Sequence, residues 1–123
     1  MNKNLQAIKH IADGEYSSVV EYSFFLDYKL RIILVDKSFI DVNISTKLKD
    51  KFGIHWETKN KFNNIYRYDN FPDIKWCQLE SFPFHFHSKE QNNVIEPPFS
   101  KDLFMGFRGF MDFVQNQLSL EIK

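Results

Sequence analysis

The chain has 123 residues, a formal net charge of zero, a hydrophobic fraction of 43% and a single cysteine, Cys77. Its length and composition are typical of one globular domain over residues 1–123 and exclude a disordered protein, and its one cysteine excludes an internal disulfide bond. The zero charge excludes a global field that attracts nucleic acid or anionic lipid, and it favours a partner protein or a homodimer over a solitary monomer.

The N-terminal segment predicts a short amphipathic helix rather than a targeting sequence. Apolar residues recur at helical spacing from Leu5 to Ala12, and Gly14 follows as a stop signal, so we predict a helix over residues 4–13. The segment has no apolar core of signal-peptide length, and no part of the chain approaches the run of about 20 apolar residues that a membrane span requires. We therefore expect a cytoplasmic protein with no membrane partner.

The middle of the chain predicts an antiparallel sheet. Runs rich in β-branched and aromatic residues alternate with short polar breaks, which is typical of a meander of strands joined by turns. Ile40, Val42 and Ile44 alternate with polar residues, as expected of a strand with one wet face. Residues 59–61 are predicted as a polar turn. The five predicted strands cover residues 19–26, 30–35, 40–45, 52–57 and 62–68.

The C-terminal segment predicts a second amphipathic helix of about 18 residues, with Ser100 as its N-cap. Gly106 and Gly109 each cost such a helix roughly 1 kcal/mol relative to alanine, which we interpret as a sign of close approach between helix and sheet. The predicted fold class is therefore α+β, a single antiparallel sheet of about five strands packed against N- and C-terminal helices. The helices cover one face, and the other face is partly open.

The segment from Phe82 to His87 alternates phenylalanine with proline and histidine. In an extended chain its three phenylalanines point to one side, and His85 and His87 point to the other. We expect the rings to enter the core and the histidines to face outward together near a sheet edge, because Pro83 has no N–H for a strand ladder. Two such imidazoles can bind a metal, share acid and base catalysis, or hold a phosphate. The alternative is a pair of surface histidines.

A second polar segment, Tyr66 to Asn70, precedes the histidines. Arg67 and Asp69 share one face of the predicted strand, opposite Tyr66 and Tyr68. A guanidinium fork matches phosphate oxygens, so Arg67 is a candidate anion clamp, and Asp69 would orient one of the histidines. The alternative is an ion pair at a strand end, with Asn70 capping the following turn.

The order of these two segments resembles the TumE family of small bacterial toxin–antitoxin proteins. Members typically show an Arg-Tyr-Asp-Asn-x-Pro-His stretch and then a Phe-Pro-His-His-x-His stretch, and the resemblance runs from about residue 30 to residue 118. Asp73 and Phe84 stand where the family often has histidine. The resemblance implies a growth-inhibiting toxin, encoded beside an antitoxin with a helix-turn-helix domain that neutralises it. The matching positions are Arg67, Tyr68, Asp69, Asn70, Pro72, Phe82, Pro83, His85 and His87.

The leading functional hypothesis is the toxin of a type II toxin–antitoxin module that acts on RNA as a metal-independent ribonuclease without a cofactor. His85 and His87 would be acid and base, and Arg67 would stabilise the charge of the phosphorane. Asp69 completes the predicted catalytic set. The residues predicted to bind the RNA substrate are Tyr66, Tyr68 and Asn70.

Two further hypotheses remain open. The first is a non-catalytic interaction module, which binds another protein through the open sheet face or through the rim around Tyr66, Tyr68 and Trp76. The second is a metal site built from His85, His87 and Asp69, with His55 as an additional candidate ligand.

Overall fold

The computed structural model describes residues 2–58 and 63–122. The predicted turn at residues 59–61 and the predicted start of the fifth strand at Phe62 lie outside the described residues. In chain order the elements are α1 (Lys3–Glu15), β1 (Val20–Leu26), β2 (Lys29–Leu34), β3 (Phe39–Ile44), β4 (Phe52–Glu57), β5 (Ile65–Asp69), β6 (His85–Lys89), β7 (Val94–Ile95) and α2 (Leu103–Ile122). A single 3-10 turn at Ile74–Trp76 lies between β5 and β6.

All seven strands form one sheet in chain order, and each is antiparallel to the next. The predicted α+β class and the meander are confirmed, but the predicted number of about five strands is wrong. The two additional strands are β6 and β7. β6 contains two histidines and no β-branched residue, so its intrinsic preference for strand structure is weak and its pairing with β5 is what makes it a strand. β7 has only two residues, which is too short for a periodic pattern.

Both helices pack on the same face of the sheet. Asn2 begins α1 by accepting hydrogen bonds from the N–H groups of Asn4 and Leu5, and α1 then buries its apolar side against the first strands. The ring of Phe113 in α2 contacts Trp56 of β4 and Tyr66 of β5, with centroid distances of 6.5 and 4.9 Å. α2 therefore covers the half of the sheet that holds the candidate site, from the side opposite that site.

The predicted close approach of α2 to the sheet is confirmed. A Cβ atom added to Gly106 would lie 2.5 Å from the Ser100 carbonyl oxygen and 3.3 Å from the ring of Tyr68. The Tyr68 hydroxyl donates a hydrogen bond of 2.7 Å to the same carbonyl. A Cβ atom at Gly109 would lie 3.3 Å from the ring of Phe99. Glycine at these positions lets the helix sit directly on the aromatic rings.

The opposite face of the sheet carries a row of polar side chains, one from each of five neighbouring strands. Cross-strand pairing aligns Arg31 with Asp41, Asp41 with His55, His55 with Arg67, and Arg67 with His87. The candidate site lies at the β6 end of this row. Within the described residues, no helix has both the length and the apolar character needed to cross a membrane.

Candidate functional site

The site is built on the pairing of β5 with β6. Arg67 lies opposite His87, and Asp69 lies opposite His85, so the register places all four predicted catalytic residues on one face of two adjacent strands. The chain after β5 folds back over this face, and the ring of Trp76 lies 6.4 Å from His85 and 6.0 Å from His87 between centroids. A groove of about 210 Å³ remains between this covering segment and the strands.

The burial of the two histidines corrects the expectation that they face outward. Each is only 3% exposed, although both lie on the face opposite the buried ring of Phe86, as the alternation predicted. The expectation that three phenylalanine rings enter the core is wrong for Phe82, which is 39% exposed. The covering segment after β5 accounts for the burial of the histidines, because it supplies the second wall of the groove.

His85 forms an ion pair with Asp69 and has both ring nitrogens engaged. Its Nδ1 donates to the Pro83 carbonyl oxygen at 3.0 Å, and its Nε2 lies 3.1 Å from Asp69 Oδ1. Burial alone would lower the pKa of His85, but the hydrogen bond and the negative charge of Asp69 outweigh it and hold that pKa above its ordinary value. Two acceptors around one imidazole favour the doubly protonated ring, since each nitrogen then donates.

Asp69 is the acceptor that organises the site. Its Oδ2 accepts from Arg67 Nε at 2.8 Å, and its Oδ1 accepts from the Phe71 N–H at 3.1 Å as well as from His85. Burial opposes ionisation of this carboxyl, yet the hydrogen bond and positive charge of His85, together with Arg67, lower its pKa. Asp69 is therefore a buried carboxylate held by three donors.

His87 differs from His85 in its protonation. Its Nδ1 lies 2.7 Å from the Gln91 carbonyl oxygen, which can only accept, so Nδ1 carries the proton and Nε2 carries a lone pair. Burial lowers the pKa of His87, and the positive charge of His85 lowers it further against the effect of the Gln91 hydrogen bond. The two imidazoles, with centroids 5.0 Å apart, thus form a neighbouring base and acid.

Arg67 lines the groove with a side chain that is 39% exposed. Its Nε holds Asp69, and its terminal amino groups donate to no other residue in the described part of the chain. A guanidinium held at one nitrogen, with its other donors available, is suited to bind an anionic oxygen in the groove. The structure therefore places Arg67 beside Asp69 and the two histidines.

The three residues predicted to bind substrate do not line the groove. Tyr66 and Tyr68 are 4% and 0% exposed and lie in the core under α2, because the alternation that brings Arg67 to the site sends its neighbours to the opposite face. The Asn70 side chain accepts from the Phe52 N–H at 2.8 Å and donates to the Asp50 carbonyl oxygen at 2.7 Å, so it fastens the start of β4. The assignment of Tyr66, Tyr68 and Asn70 to substrate contacts is corrected accordingly.

His55 is separate from the groove. It lies opposite Arg67 on β4, and its Nε2 is 3.5 Å from Glu57 Oε1. Burial lowers its pKa despite the nearby carboxylate. His55 is therefore a cross-strand neighbour of Arg67 and not a third metal ligand beside His85 and His87.

Asp73 and Trp76 are among the groove residues that sequence reasoning did not assign to the site. Asp73 lines the groove and accepts a hydrogen bond from the Lys75 N–H at 3.0 Å, and Trp76 covers both imidazoles. Asp73 stands where related proteins often have histidine, which was the available signal. Phe84, the other departure, instead packs against Phe52 with ring centroids 6.3 Å apart. The carbonyl that orients His87 left no sequence signal, because it belongs to the backbone.

Comparison with protein families identifies the relatives of this chain. Residues 4–118 match the model of a family described as Toxin TumE. The match includes every residue of the groove. No curated protein and no solved structure matches the chain.

Proposed function

This chain belongs to the TumE family of toxins, and on that premise we propose that it is the toxin of a type II toxin–antitoxin module that inhibits growth by cleaving RNA without a metal ion. One observation carries the proposal. A neutral His87 with a lone pair on Nε2 lies beside the protonated His85–Asp69 pair and Arg67, all in one groove. Metal-free cleavage of a phosphodiester needs a base, an acid and a cation in such proximity.

In the proposed reaction His87 is the general base. Its Nε2 removes the proton from a ribose 2′-hydroxyl, and the 2′-oxygen forms a bond to the adjacent phosphorus. The bond from phosphorus to the 5′-oxygen breaks, and that oxygen takes the Nε2 proton of His85, which leaves its hydrogen bond to Asp69 in this step. The products are a 2′,3′-cyclic phosphate and a free 5′-hydroxyl. The reaction requires RNA, because DNA has no 2′-hydroxyl.

Arg67 and Asp69 have supporting roles in this proposal. The terminal amino groups of Arg67 would donate to the non-bridging oxygens, where negative charge grows in the phosphorane. Asp69 orients the His85 ring and stabilises its proton until the leaving oxygen accepts it. Lys75 also lines the groove and adds a positive charge near a bound phosphate.

A second candidate function is a non-catalytic protein-interaction module, and it is favoured by an aromatic pair on the open face. Tyr22 and Phe24 stack with centroids 5.9 Å apart and are 53% and 36% exposed. Exposed aromatic side chains are enriched in protein interfaces. In the toxin proposal the same surface is available to the cognate helix-turn-helix antitoxin, so antitoxin binding alone does not separate the two functions.

Growth arrest after induced expression tests the proposal. We expect arrest with the wild-type protein and with the His55→Ala control, which alters a histidine outside the groove. His85→Ala and His87→Ala should abolish arrest. In vitro, cleavage of RNA in the presence of a chelator should yield 2′,3′-cyclic phosphate ends, and a 2′-deoxy substitution at the scissile position should prevent it. Undiminished toxicity of both groove variants would overturn the catalytic proposal.

A further inference from the structure

Three buried side chains at the bottom of the groove converge as potential metal ligands. Asp69, His85 and His87 are 2%, 3% and 3% exposed, and one donor atom from each lies within 4.8 Å of the others. Clusters of polar groups are common on protein surfaces. Three metal-ligating atoms that converge at this degree of burial are uncommon, because burying polar groups costs free energy unless they are paired.

The hydrogen bonds around the two imidazoles leave Nε2 as the coordinating atom of each. Both Nδ1 atoms are held by backbone carbonyl oxygens, that of Pro83 for His85 and that of Gln91 for His87. Histidines that ligate metals usually donate their other ring N–H to a carbonyl or carboxylate, which fixes the ring orientation. This outer arrangement is already complete here for both rings.

The Asp69 carboxylate is also held in a fixed orientation by a hydrogen bond. Arg67 Nε holds Asp69 Oδ2 at 2.8 Å, while Oδ1 lies 3.1 Å from His85 Nε2. Bonds of about 2.0–2.2 Å in a tetrahedral zinc site place neighbouring ligand atoms roughly 3.3 Å apart. The Asp69–His85 separation is close to that value without any rearrangement, and the ligand atom of His87 lies within 4.8 Å of the other two.

We propose that Asp69, His85 and His87 bind one divalent transition-metal ion of the zinc class, through two Nε2 atoms and a carboxylate oxygen. Two imidazoles and one carboxylate suit zinc, cobalt or nickel rather than magnesium or calcium, which prefer all-oxygen sites. The ion replaces the proton between His85 and Asp69, and the fourth coordination position opens into the groove, where a water molecule completes the tetrahedron.

The metal site does not rest on the proposed ribonuclease activity. An ion bound to Nε2 of His87 occupies the lone pair that the metal-free reaction needs, so binding inhibits that reaction. A protein that binds zinc and is inactive towards RNA, and a protein that cleaves RNA and binds no zinc, are therefore distinct outcomes. The first outcome supports the metal site and contradicts the nuclease proposal. The second outcome supports the nuclease proposal and contradicts the metal site.

The experiment is a titration of chelator-treated full-length protein with zinc by calorimetry and with cobalt by visible absorption. We expect one ion per chain and the d–d absorption of tetrahedral cobalt. His87→Gln, His85→Gln and Asp69→Asn should each weaken binding by at least about 100-fold, more than loss of an outer hydrogen bond. His55→Gln is the matched control and should bind as the wild type does. Circular dichroism verifies that each variant is folded.

Two results would overturn the inference. One is the absence of any saturable zinc or cobalt binding by the folded wild-type protein. The other is equal affinity of the wild type and a folded His87→Gln variant, which would assign the ion to other ligands. Cleavage of RNA by the same preparations in chelator reports the nuclease proposal independently.

Discussion

The two faces of the β5–β6 strand pair bury their side chains by different means. On one face Tyr66, Tyr68 and Phe86 lie beneath α2. The rings of Tyr66 and Phe86 pack against Phe113 of the helix, with centroids 4.9 and 5.6 Å apart. On the other face His85 and His87 are equally buried, but beneath the short segment that carries Trp76. The first face depends on apolar area and shape, whereas the second depends on specific hydrogen bonds.

The difference shows how one sheet can be both scaffold and site. The apolar face contributes stability through many interchangeable contacts. The polar face is well formed only because its partners are matched, and among the described residues no buried side-chain nitrogen or oxygen lacks a hydrogen-bond partner. Substitutions on the two faces should therefore change the stability of the fold through different interactions and by different amounts.

The largest expected effect is on the apolar face. Phe86→Ala removes a ring that contacts Phe99 and Phe113 at 5.1 and 5.6 Å between centroids, and it should lower the free energy of unfolding by about 3–5 kcal/mol. The matched control is Phe82→Ala in the same segment, which should change it by only about 1 kcal/mol because that residue is 39% exposed. Denaturant unfolding measures both. Similar losses for the two variants would contradict the assignment of faces.

The next effect is on the polar face. Asp69→Asn keeps the shape of the side chain but removes the charge that pairs with His85 and Arg67, so we expect a loss of about 1.5–3 kcal/mol in the free energy of unfolding. Asp73→Asn, in the same groove, should cost about 0.5 kcal/mol or less, since this half-buried carboxylate accepts only the Lys75 N–H among the described residues. Chemical denaturation at neutral pH separates the two. Equal losses would mean that the ion pair does not stabilise this face.

The fit of α2 on the apolar face can be tested by adding a single methyl group. Gly106→Ala places Cβ against the Ser100 carbonyl oxygen and should destabilise the fold by about 1–3 kcal/mol through overpacking. Gly14→Ala is the control, because α1 leaves open space around that position and alanine is the better helix former by roughly 1 kcal/mol. The expected changes in melting temperature have opposite signs. A stabilising Gly106→Ala would show that the helix does not pack this tightly against Ser100 and Tyr68.

The smallest expected effect on stability concerns the cover of the polar face. Trp76→Ala removes one wall of the groove and should cost only about 1 kcal/mol, because the ring is half-buried and stands at the edge of the fold. The rate at which an imidazole-modifying reagent reacts with His87 should nevertheless rise by about tenfold or more, as the ring becomes accessible. His10 on the exposed side of α1 is the internal reference, and its rate should not change. An unchanged rate at His87 would mean that another segment buries it.

Much of this two-faced arrangement could be predicted from the sequence, because strand alternation has a period of two. The opposition of Arg67 and Asp69 to the tyrosines, and of the histidines to Phe86, follows from that period alone. Their convergence in one groove also requires the register between β5 and β6. A shift of two residues would keep the histidines on the same face but pair them with other residues of β5, and alternation alone does not exclude such a shift.

The burial of the histidines could not be predicted, because it depends on an irregular segment. The chain around Pro72 and Asp73 has no periodicity from which its path back over the sheet could be deduced. The strands β6 and β7 were missed for a related reason. These segments are strands because they pair with a neighbouring strand, and not because their residues have a strong intrinsic strand preference. The helices were predictable because their apolar residues repeat over several turns.

The anchoring of both imidazoles by backbone carbonyl oxygens has a consequence for how this site can vary. Any residue can replace Gln91 and still supply the carbonyl that His87 donates to, so substitutions at that position are expected to be tolerated. Removing one residue between Ser88 and Gln91 would instead shift the carbonyl by one place along the chain and leave Nδ1 without its acceptor. In this loop, length rather than identity is what natural variation must preserve.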